Sequence, residues 1–347
     1  MQFSAQKISE IVDGVVSGDP EILIHGPAKI EEAKAGTITF LGNPKYEEYL
    51  YTTGASAVIV NAEFEPSQKV NSTLIKVGNV YEALGALLDH FNQDEFIEKG
   101  ISDNAFVHTD AKIGEGSSIG HFTTISKNVS IGQNCKIHDQ VYIGPNVSIG
   151  EGSIIYPGVR ILRGSKIGKN CIIQANAVIG SDGFGFAQSD SGAFSKVQQI
   201  GNVIIGDEVE IGANTTVDRA TMGATTISKG VKLDNLIQVA HNASIGEHTV
   251  IAAQSGISGS TDIGKYCMIG GQVGFVGHIK IADGTKIQAQ SGINKSIKKE
   301  NTSLYGTPAL DYQNYLRSYA HFKNLPNIAN RLRDLERIIA ELQKEKS

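Results

Sequence analysis

The sequence predicts a mainly β protein: a parallel β-helix over residues 101–305, with an α/β domain over residues 1–100 and a helical segment over residues 306–347. Three observations predict this architecture. Apolar residues, most of them isoleucine, recur at every sixth position from Ile113 to Ile293, a spacing that neither a helix nor an alternating strand produces. Hexapeptide repeats are a signature of the parallel β-helix. The repeat is also absent from both ends of the chain, which defines the flanking segments.

Each six-residue unit predicts one short strand and one corner, and three units close a coil. Residues 18 apart should therefore stack about 4.8 Å from each other along the axis. Glycine, asparagine, aspartate or serine recurs at the corners, where tight backbone geometry is easiest for glycine and asparagine. The inward residues form three series: Ile113, Ile119, Ile125, Ile131, Ile137, Ile143, Ile149, Ile155, Ile161, Ile167, Ile173 and Ile179; Ile205, Ile211 and Val217; and Ile227, Leu233, Val239, Ile245, Ile251, Ile257, Ile263, Ile269, Phe275, Ile281, Ile287 and Ile293.

Two interruptions break the repeat. Between Ile179 and Ile205 the chain carries 20 residues more than one hexad needs, and a second insertion of four residues lies within 218–226. Insertions leave a solenoid as surface loops and often mark its binding face. The first opens with Ser181-Asp182-Gly183-Phe184-Gly185-Phe186-Ala187. This run is a weak signal for contact with a nucleotide or a lipid, and a loop that packs on its own coil is the alternative.

Residues 1–100 show helix and strand patterns instead of the hexad. We expect helices at 8–12 and 81–91, the second with an apolar face of Leu84, Leu87 and Leu88, and buried strands at 37–41, 57–60 and 73–77. Phe40, Asn43 and Tyr46 flank a turn at Pro44. Two aromatic rings and an amide in this arrangement could hold a flat heterocycle by stacking and hydrogen bonding, and ordinary core packing is the alternative.

A heptad pattern follows the repeats. Its apolar residues alternate three and four positions apart, the spacing of a short coiled-coil seam: Leu325, Ile328, Leu332, Leu335, Ile339 and Leu342. An isolated helix of this length is marginal, so we expect it to pack against copies of itself or against the solenoid. Lys295, Lys298 and Lys299 form the densest basic group, where the hexads end.

Composition narrows the class of protein. A net charge of −5 over 347 residues argues against general nucleic-acid binding. Cys135, Cys171 and Cys267 are odd in number and lie within the repeats, which indicates buried thiols in a reducing compartment. The N-terminus does not resemble a signal peptide, and no apolar run is long enough to span a membrane. We therefore expect a soluble, cytoplasmic protein.

His241 and His278 are the candidate catalytic residues. His241 lies two places after the inward residue Val239, so its side chain should point outward near a corner. Gly259 stacks on it one coil further on, and a backbone N–H above an imidazole suits an oxyanion donor beside a general base. His278 lies about two coils further and one place out of register. Surface histidines without a catalytic role are the alternative.

Several stretches carry a family resemblance: Phe40-Leu41-Gly42-Asn43-Pro44-Lys45-Tyr46, Asp182-Gly183-Phe184-Gly185-Phe186, Val209-Glu210-Ile211-Gly212-Ala213-Asn214, Val217-Asp218-Arg219, Asp234-Asn235 with Ala240-His241-Asn242, and Gly277-His278. In these the chain resembles the UDP-3-O-(3-hydroxyacyl)glucosamine N-acyltransferases of lipid A synthesis, over nearly its whole length. The hexads are common to many transferases. The N-terminal domain, the glycine-rich loop and the run from Asp234 to Asn242 are the specific features.

The resemblance implies a left-handed β-helix and a homotrimer that moves an (R)-3-hydroxyacyl group from acyl carrier protein to the 2-amine of a UDP-linked acylglucosamine. It implies no metal and no bound cofactor, because phosphopantetheine arrives on the carrier protein. His241 would accept the proton, the N–H of Gly259 would bind the oxyanion, and Asp234 is a candidate to polarise the imidazole. The implied UDP-sugar residues are Phe40, Asn43 and Tyr46 around uracil, with Asp182, Phe184 and Asn242. Those for the acyl donor and its chain are His278, Ser291, Gly292, Asn294 and Lys295, of which Ser291, Gly292 and Asn294 would leave the far end of the acyl groove open.

Other functions fit the same solenoid. One is the O-acyltransferase that acts on UDP-N-acetylglucosamine, which lacks an N-terminal domain like this one. A second is a metal-dependent hydratase of the γ-carbonic anhydrase type, which needs three converging histidines; His121 with His138, and His241 with His248, provide pairs only. A third is a scaffold without catalytic activity, which leaves the aromatic residues of the N-terminal domain and the glycine-rich loop unexplained.

Overall fold

The structure, a computed structural model, describes residues 2–91, 100–306 and 312–345. The chain forms two compact units, Met1–Phe96 and Ile97–Ser347. The first is an α/β unit and the second contains the β-helix and the C-terminal helix. The predicted elements of both units are present, so the mainly β fold class is confirmed.

The first unit is built on a five-stranded sheet. Its strands lie in the order Val15–Ser17, Thr73–Val77, Ala57–Asn61, Thr37–Phe40 and Gly26–Pro27, and only the first pair is antiparallel. Phe3–Ser4 and Leu23–Ile24 form a separate antiparallel pair. The helices are Ala5–Ile11, a 3-10 turn at Pro44–Tyr46, Glu47–Leu50 and Val80–Phe91.

The last helix of this unit corrects one prediction. Val80, Ala83 and Leu87 are its buried residues, whereas Leu88 is 43% exposed and Leu84 is half-buried. Val80, Ala83 and Leu87 are three and four positions apart, which places these buried residues on one stripe of the helix. Leu88 lies one position beyond this stripe, so the predicted face was wrong in its register.

The second unit winds into three parallel sheets, here called the first, second and third faces. The first face stacks Phe106–Val107, Thr124–Ile125, Tyr142–Ile143, Arg160–Ile161, Val178–Asp182, Thr216–Arg219, Gln238–Val239, Gly256–Ile257, Gly274–Phe275 and Gly292–Ile293. The second stacks Lys112–Ile113, Ser130–Ile131, Ser148–Ile149, Lys166–Ile167, Asn202–Ile205, Ala224–Ile227, Ser244–Ile245, Asp262–Ile263 and Lys280–Ile281. The third stacks Ser118–Ile119, Lys136–Ile137, Ile154–Ile155, Ile172–Ile173, Glu210–Ile211, Lys232–Leu233, Val250–Ile251, Met268–Ile269, Lys286–Ile287 and Ser303–Leu304.

The register confirms the predicted stacking. Ile119 pairs with Ile137, 18 residues later, and the inward residues form one continuous buried core. Where the repeat is interrupted, paired residues are more than 18 positions apart in sequence: Ile167 pairs with Ile205, and Val217 pairs with Val239. The longer interruption contains an antiparallel hairpin of Phe186–Gln188 and Phe194–Lys196. The insertions therefore leave the coil without disturbing the stack.

Buried hydroxyl and thiol groups close the corners of the coils. The Ser117 hydroxyl donates to the carbonyl of Gly132 at 2.9 Å and accepts from the N–H of Cys135 at 3.0 Å. The Cys135 thiol in turn donates to the carbonyl of Gly150 at 3.1 Å, and burial raises the pKa of this thiol, so it keeps its proton. Cys135, Cys171 and Cys267 are all buried and free, as predicted.

The C-terminal helix is longer than the heptad pattern predicted. It spans Tyr312–Glu345 and passes through Pro326, so it begins well before Leu325. Every side chain described from Leu316 to Lys344 is exposed, which excludes packing on the solenoid of the same chain for this part of the helix. The apolar seam is left open to another molecule. No helix in the described ranges is long and apolar enough to cross a membrane.

Candidate active site

The imidazole of His241 lies between two glycines. A Cβ atom added to Gly259 would stand 2.7 Å from His241 Nε2, and one added to Gly183 would stand 2.7 Å from His241 Cβ. Cβ atoms in proteins do not approach other atoms so closely, so neither position accepts a side chain unless His241 moves. The predicted stacking of Gly259 on His241 is present, and Gly183 from the long insertion closes the other side.

Asn242 fixes the tautomer of this imidazole. Its Oδ1 accepts from the N–H of Thr221 at 3.0 Å, and its Nδ2 donates to the carbonyl of Met222 at 2.9 Å. These two backbone contacts orient the amide, so the oxygen faces His241 Nδ1 at 3.2 Å. An acceptor at that distance requires the proton on Nδ1. Nε2, the atom that faces Gly259, then carries the free lone pair of a base.

The same hydrogen bonds show that Asn242 also stabilises the backbone of the short insertion. It was predicted to contact the UDP-sugar, but its amide holds the backbone of the short insertion at Thr221 and Met222. Its own N–H donates to the hydroxyl of Thr225 at 2.9 Å. The side chain therefore ties the second interruption of the repeat to the imidazole.

Asp218 is the carboxylate near His241, and sequence reasoning missed it. The residue is 7% exposed; Oδ1 accepts from the Ser181 hydroxyl at 2.7 Å and Oδ2 from the Gln238 amide at 2.8 Å. Burial raises the pKa of Asp218, while the Ser181 hydrogen bond and the charge of His241 act in the opposite direction. The sequence feature that could have identified it is an aspartate directly after the inward residue Val217, at the start of an interruption of the repeat.

Asp234, the predicted partner of the imidazole, has a different role. Its carboxylate accepts from the N–H groups of Asn235 at 2.8 Å and Ala253 at 3.1 Å. It follows the strand Lys232–Leu233 of the third face, whereas His241 follows a strand of the first. Asp234 caps a corner there, and in the same chain it lies on a different face from His241.

Asp182 anchors the long insertion. Its carboxylate pairs with Lys196 at the base of the hairpin and lies 3.7 Å from Nε of the buried Arg219. The hydrogen bond and charge of Lys196 hold the pKa of Asp182 below its ordinary value, and Arg219 adds to this. Arg219 Nε also donates to the carbonyl of Gly180 at 2.7 Å. Phe184 is 85% exposed beyond this anchor, so it is available to a ligand.

His278 lies at a corner two coils beyond His241. It is exposed, its φ is +60°, and its N–H donates to the carbonyl of Gly259 at 3.2 Å. Gly277, directly before it, stacks on Gly259. The two histidines are thus on the same edge of the solenoid, with Gly259 between them.

An open groove runs along the first face beside His241. Gly256, Gly274 and Gly292 stack in register to form its floor, and a Cβ at any of them would meet nothing within 4 Å. The groove has a volume of about 530 Å³ and is lined by Gln238, Ala240, Gly256, Ile257, Ser258, Gly274, Phe275, Val276, Gly292, Ile293 and Asn294. Three outward glycines spaced 18 apart are a signal that sequence reasoning passed over.

The far end of this groove corrects one assignment. Of the three residues predicted at the end of an acyl groove, Gly292 and Asn294 line this one and Ser291 does not. Ser291 is 4% exposed, and its hydroxyl donates to the carbonyl of Gln288 at 2.8 Å. It belongs to the corner, where its side chain turns inward. Lys295 lines an adjoining cavity of about 520 Å³, together with Ser291 and Gly292.

In the first unit, the candidate uracil residues surround the turn at Pro44. Asn43 Oδ1 accepts from the N–H of Lys45 at 3.1 Å, which caps this turn. The ring of Phe40 meets that of Tyr81 edge to face at 6.3 Å, while Tyr46 lies 6.2 Å from Tyr49. Tyr81 is 61% exposed and was not singled out by the sequence. Phe40 is therefore paired with Tyr81 and not with Tyr46.

The histidines of the hydratase alternative have other neighbours. His121 Nδ1 lies 2.6 Å from the Ser102 hydroxyl, and the ring of His248 stacks on Tyr266 at 5.5 Å. Within the described ranges, no three His, Cys, Asp or Glu side chains converge as metal ligands would. The geometry gives no support to a zinc site there.

A hexapeptide β-helix with a histidine between two glycines and an open groove beside it defines a β-helical acyltransferase. The Arabidopsis UDP-N-acetylglucosamine acyltransferase shares the fold: its structure superposes with a TM-score of 0.52 at 20% identity, over 60% of this chain and 71% of that one. The likeness confirms the left-handed sense of the helix.

Sequence relatives specify the family. A family model described as UDP-3-O-(3-hydroxymyristoyl) glucosamine N-acyltransferase, LpxD, matches residues 21–90, and one described as GMPPB C-terminal domain matches residues 101–183. UDP-3-O-acylglucosamine N-acyltransferase of Christiangramia forsetii is 54% identical over 339 residues, covering 98% of this chain and 99% of its own. The enzyme of the same name from Bacteroides thetaiotaomicron is 50% identical over 343 residues, which cover 99% of this chain and 99% of that one. The one from Porphyromonas gingivalis is 49% identical over 343 residues, which cover 99% of this chain and 98% of that one. The chain belongs to the UDP-3-O-acylglucosamine N-acyltransferase family and is an acyltransferase.

The raised pKa of Asp218 predicts how stability depends on pH. Folding favours the protonated carboxyl, so its contribution to the free energy of unfolding is fully present below pH 3.8, the ordinary pKa, and is lost as pH rises through the folded-state pKa. Asp218→Asn has no such loss. We expect the free energy of unfolding of Asp218→Asn, relative to the parent, to increase over this pH range in urea titrations.

Ser181→Ala is the matched variant for this measurement. Loss of its hydrogen bond to the Asp218 carboxylate should make stability fall more steeply with pH than in the parent. A difference between Asp218→Asn and the parent that is constant with pH would show that Asp218 titrates alike in the folded and unfolded chains.

Proposed function

We propose that the protein transfers an (R)-3-hydroxyacyl group from the thioester of acyl carrier protein to the 2-amine of UDP-3-O-(3-hydroxyacyl)glucosamine, in lipid A biosynthesis. The observation that carries this proposal is the position of His241, whose Nε2 faces Gly259, whose Nδ1 faces the Asn242 oxygen, and which directly follows Ala240 in the lining of the groove. The names of relatives about half identical over nearly the whole chain support this choice of acceptor.

His241 acts as the general base in this reaction. The amine attacks the thioester carbonyl, a C–N bond forms, and Nε2 accepts a proton from the amine. The carbonyl oxygen becomes an oxyanion, which the backbone N–H of Gly259 stabilises. As the intermediate collapses, the C–S bond breaks and the imidazolium returns the proton to the departing sulfur. The products are the amide and the free phosphopantetheine thiol, and the step needs no metal or bound cofactor.

The groove receives the acyl chain of the donor. The groove extends over the three coil spacings from Gln238 to Gly292, about 14 Å, and has apolar residues at Phe275 and Val276. His278, on the same edge of the solenoid as His241, orients the pantetheine arm. Gly292 and Asn294 leave the far end open, so that long chains are accepted.

The donor reaches this groove on an acidic carrier protein, and the chain itself is negative. Docking therefore needs local positive charge, which Lys295, Lys298 and Lys299 supply at the end of the solenoid. All three lysines line the cavity that adjoins the far end of the groove. Rim charges of this kind act on association rate and are screened by salt.

The active enzyme is a homotrimer in the cytoplasm. The open seam of the helix Tyr312–Glu345 repeats its apolar residues with coiled-coil spacing, and Leu332, Leu335 and Ile339 are each more than half exposed in one chain. Copies of the same helix would cover this seam. Three buried free thiols suit a reducing compartment.

An acylation assay read by mass spectrometry tests the reaction. With carrier-protein thioester as donor, the parent should acylate the UDP-linked amine and not the matching hydroxyl compound. His241→Ala should lower turnover by at least about 100-fold, because the amine loses its base. Turnover within a few-fold of the parent would remove His241 from the mechanism, and acylation of the hydroxyl compound alone would identify an O-acyltransferase.

The same variant serves as a control for folding and assembly. In His241→Ala, binding of the UDP-sugar and the mass by light scattering should match the parent. That mass should be three times the 37.0 kDa of one chain. A single-chain mass at micromolar concentration would refute the trimer.

Uracil is held by the aromatic residues of the first unit. Phe40 and Tyr46 supply rings, Asn43 supplies an amide, and Tyr81, which meets Phe40 edge to face, extends this surface. Phe40→Ala should weaken the UDP-sugar by roughly 1–3 kcal/mol through lost stacking, measured by calorimetry. Val15→Ala, an exposed residue of the same sheet, is the control; equal affinity in both variants would assign Phe40 to core packing.

Chain-length preference is set along the glycine floor. Gly292→Met fills open space without backbone strain, and should shift preference toward shorter donors. Each methylene that loses contact costs about 0.8 kcal/mol, or roughly fourfold in kcat/KM, so the shift should be graded. Competition between donors of different length measures it.

Lys286→Met provides the matched control for this series. It lies in the preceding turn of the solenoid but on the third face, away from the groove, and should leave the preference unchanged. The same profile in Gly292→Met as in the parent would place the determinant of chain length elsewhere.

A further inference from the structure

Asp218 is buried, and no cation among the described residues pairs with its carboxylate. Both of its oxygens accept from neutral donors, the hydroxyl of Ser181 and the amide of Gln238. The adjacent Arg219 points elsewhere, to the carbonyl of Gly180 and the carboxylate of Asp182. Among the residues that the structure describes, none forms an ion pair with Asp218.

Stability does not explain a carboxylate at this position. A buried charge without a cation opposes folding, and burial accordingly raises the pKa of Asp218. An asparagine would fit the same space. Its Oδ1 would accept from Ser181, and its Nδ2 would donate to Gln238 once that amide turned its oxygen toward it. The negative charge is therefore retained for another reason.

The group that can use this charge is His241. Ser181 and Gln238 hold Asp218 at the base of the insertion that brings Gly183 against the imidazole, and Gln238 lies only three residues before His241. We propose that Asp218 is a positioning residue that acts through His241: its fixed negative charge favours the imidazolium that His241 becomes on accepting the proton of the amine. This inference rests on the proposed role of His241 as the base.

The other charges near this site are already paired or directed elsewhere. On the long insertion, Asp182 pairs with Lys196 and lies near Arg219. Arg163, from the preceding coil, donates to the carbonyl of Gln199 at 3.3 Å. The segments that cover the imidazole directly contribute Gly183, Gly259 and the neutral amide of Asn242. Asp218 is thus the unneutralised charge in the described surroundings of His241.

The test is the pH dependence of kcat/KM in Asp218→Asn. We expect the plateau to fall by about tenfold, because a weaker base removes the proton less readily. The midpoint of the acidic limb should move to lower pH, since the imidazolium loses a favourable charge. Binding of the UDP-sugar should be unchanged. A merely structural role predicts a lower plateau with an unmoved limb, and that result would overturn the proposal.

A double variant moves the charge instead of deleting it. Asp218→Asn with Gln238→Glu carries the carboxylate to the partner side chain, 2.8 Å away in the parent. The acidic midpoint should return at least halfway to its parent position. An acidic midpoint that stays where Asp218→Asn put it would contradict an electrostatic role. Glu210→Gln, an exposed carboxylate of the third face paired with Lys232, is the control and should leave the profile unchanged.

The two proposals fail in different ways. If His241→Ala keeps its turnover, the base has been assigned wrongly and the role of Asp218 falls with it. If His241→Ala is inactive while Asp218→Asn has the parent profile, the base stands and only the role of Asp218 is wrong. Thermal melting of both single variants separates loss of rate from loss of fold.

Discussion

The stacking of each inward β-branched residue on its equivalent one coil away is the interaction on which this molecule depends. Ile137 packs on Ile119 and Ile155 in turn, and the same contact repeats along all three faces. Because every coil buries its apolar residue only against its neighbours, the stack tolerates loops that leave and return at a corner. The outward positions are free of this constraint, and the chemistry of the enzyme uses them.

The chemistry gathers where the repeat is broken. The long insertion brings Gly183 against one side of His241, and the short insertion is tied to Asn242, which orients the imidazole. Regular coils contribute only Gly259 and the groove. A uniform solenoid could present the histidine but could not select its tautomer. The two insertions thus hold the imidazole in one orientation, which the regular coils alone would not do.

Sequence reasoning could predict whatever follows from a fixed period. The coil, its register, the buried cysteines and the stacking of Gly259 on His241 all derive from residues 18 apart. It failed where an interruption changes the number of residues between stacked positions. Ser181 and Asp218 are neighbours only because the insertion shifts the register, and Asp218 was therefore not singled out. Tyr81 was missed because a tertiary contact with Phe40 leaves no trace in local pattern. The length of the C-terminal helix could not be derived from the heptad, because the residues before Leu325 carry none.

At the glycine floor of the groove, the shape of the outer surface can change without changing the packing of the core. Gly256, Gly274 and Gly292 face outward, so no core contact depends on their side chains, while the inward Ile257, Phe275 and Ile293 carry the stack. A lineage that gains or loses bulk at an outward position alters what the surface accepts and leaves the folding free energy nearly untouched. A series of single substitutions at these positions can therefore change the ligand that the groove accepts while every member of the series still folds.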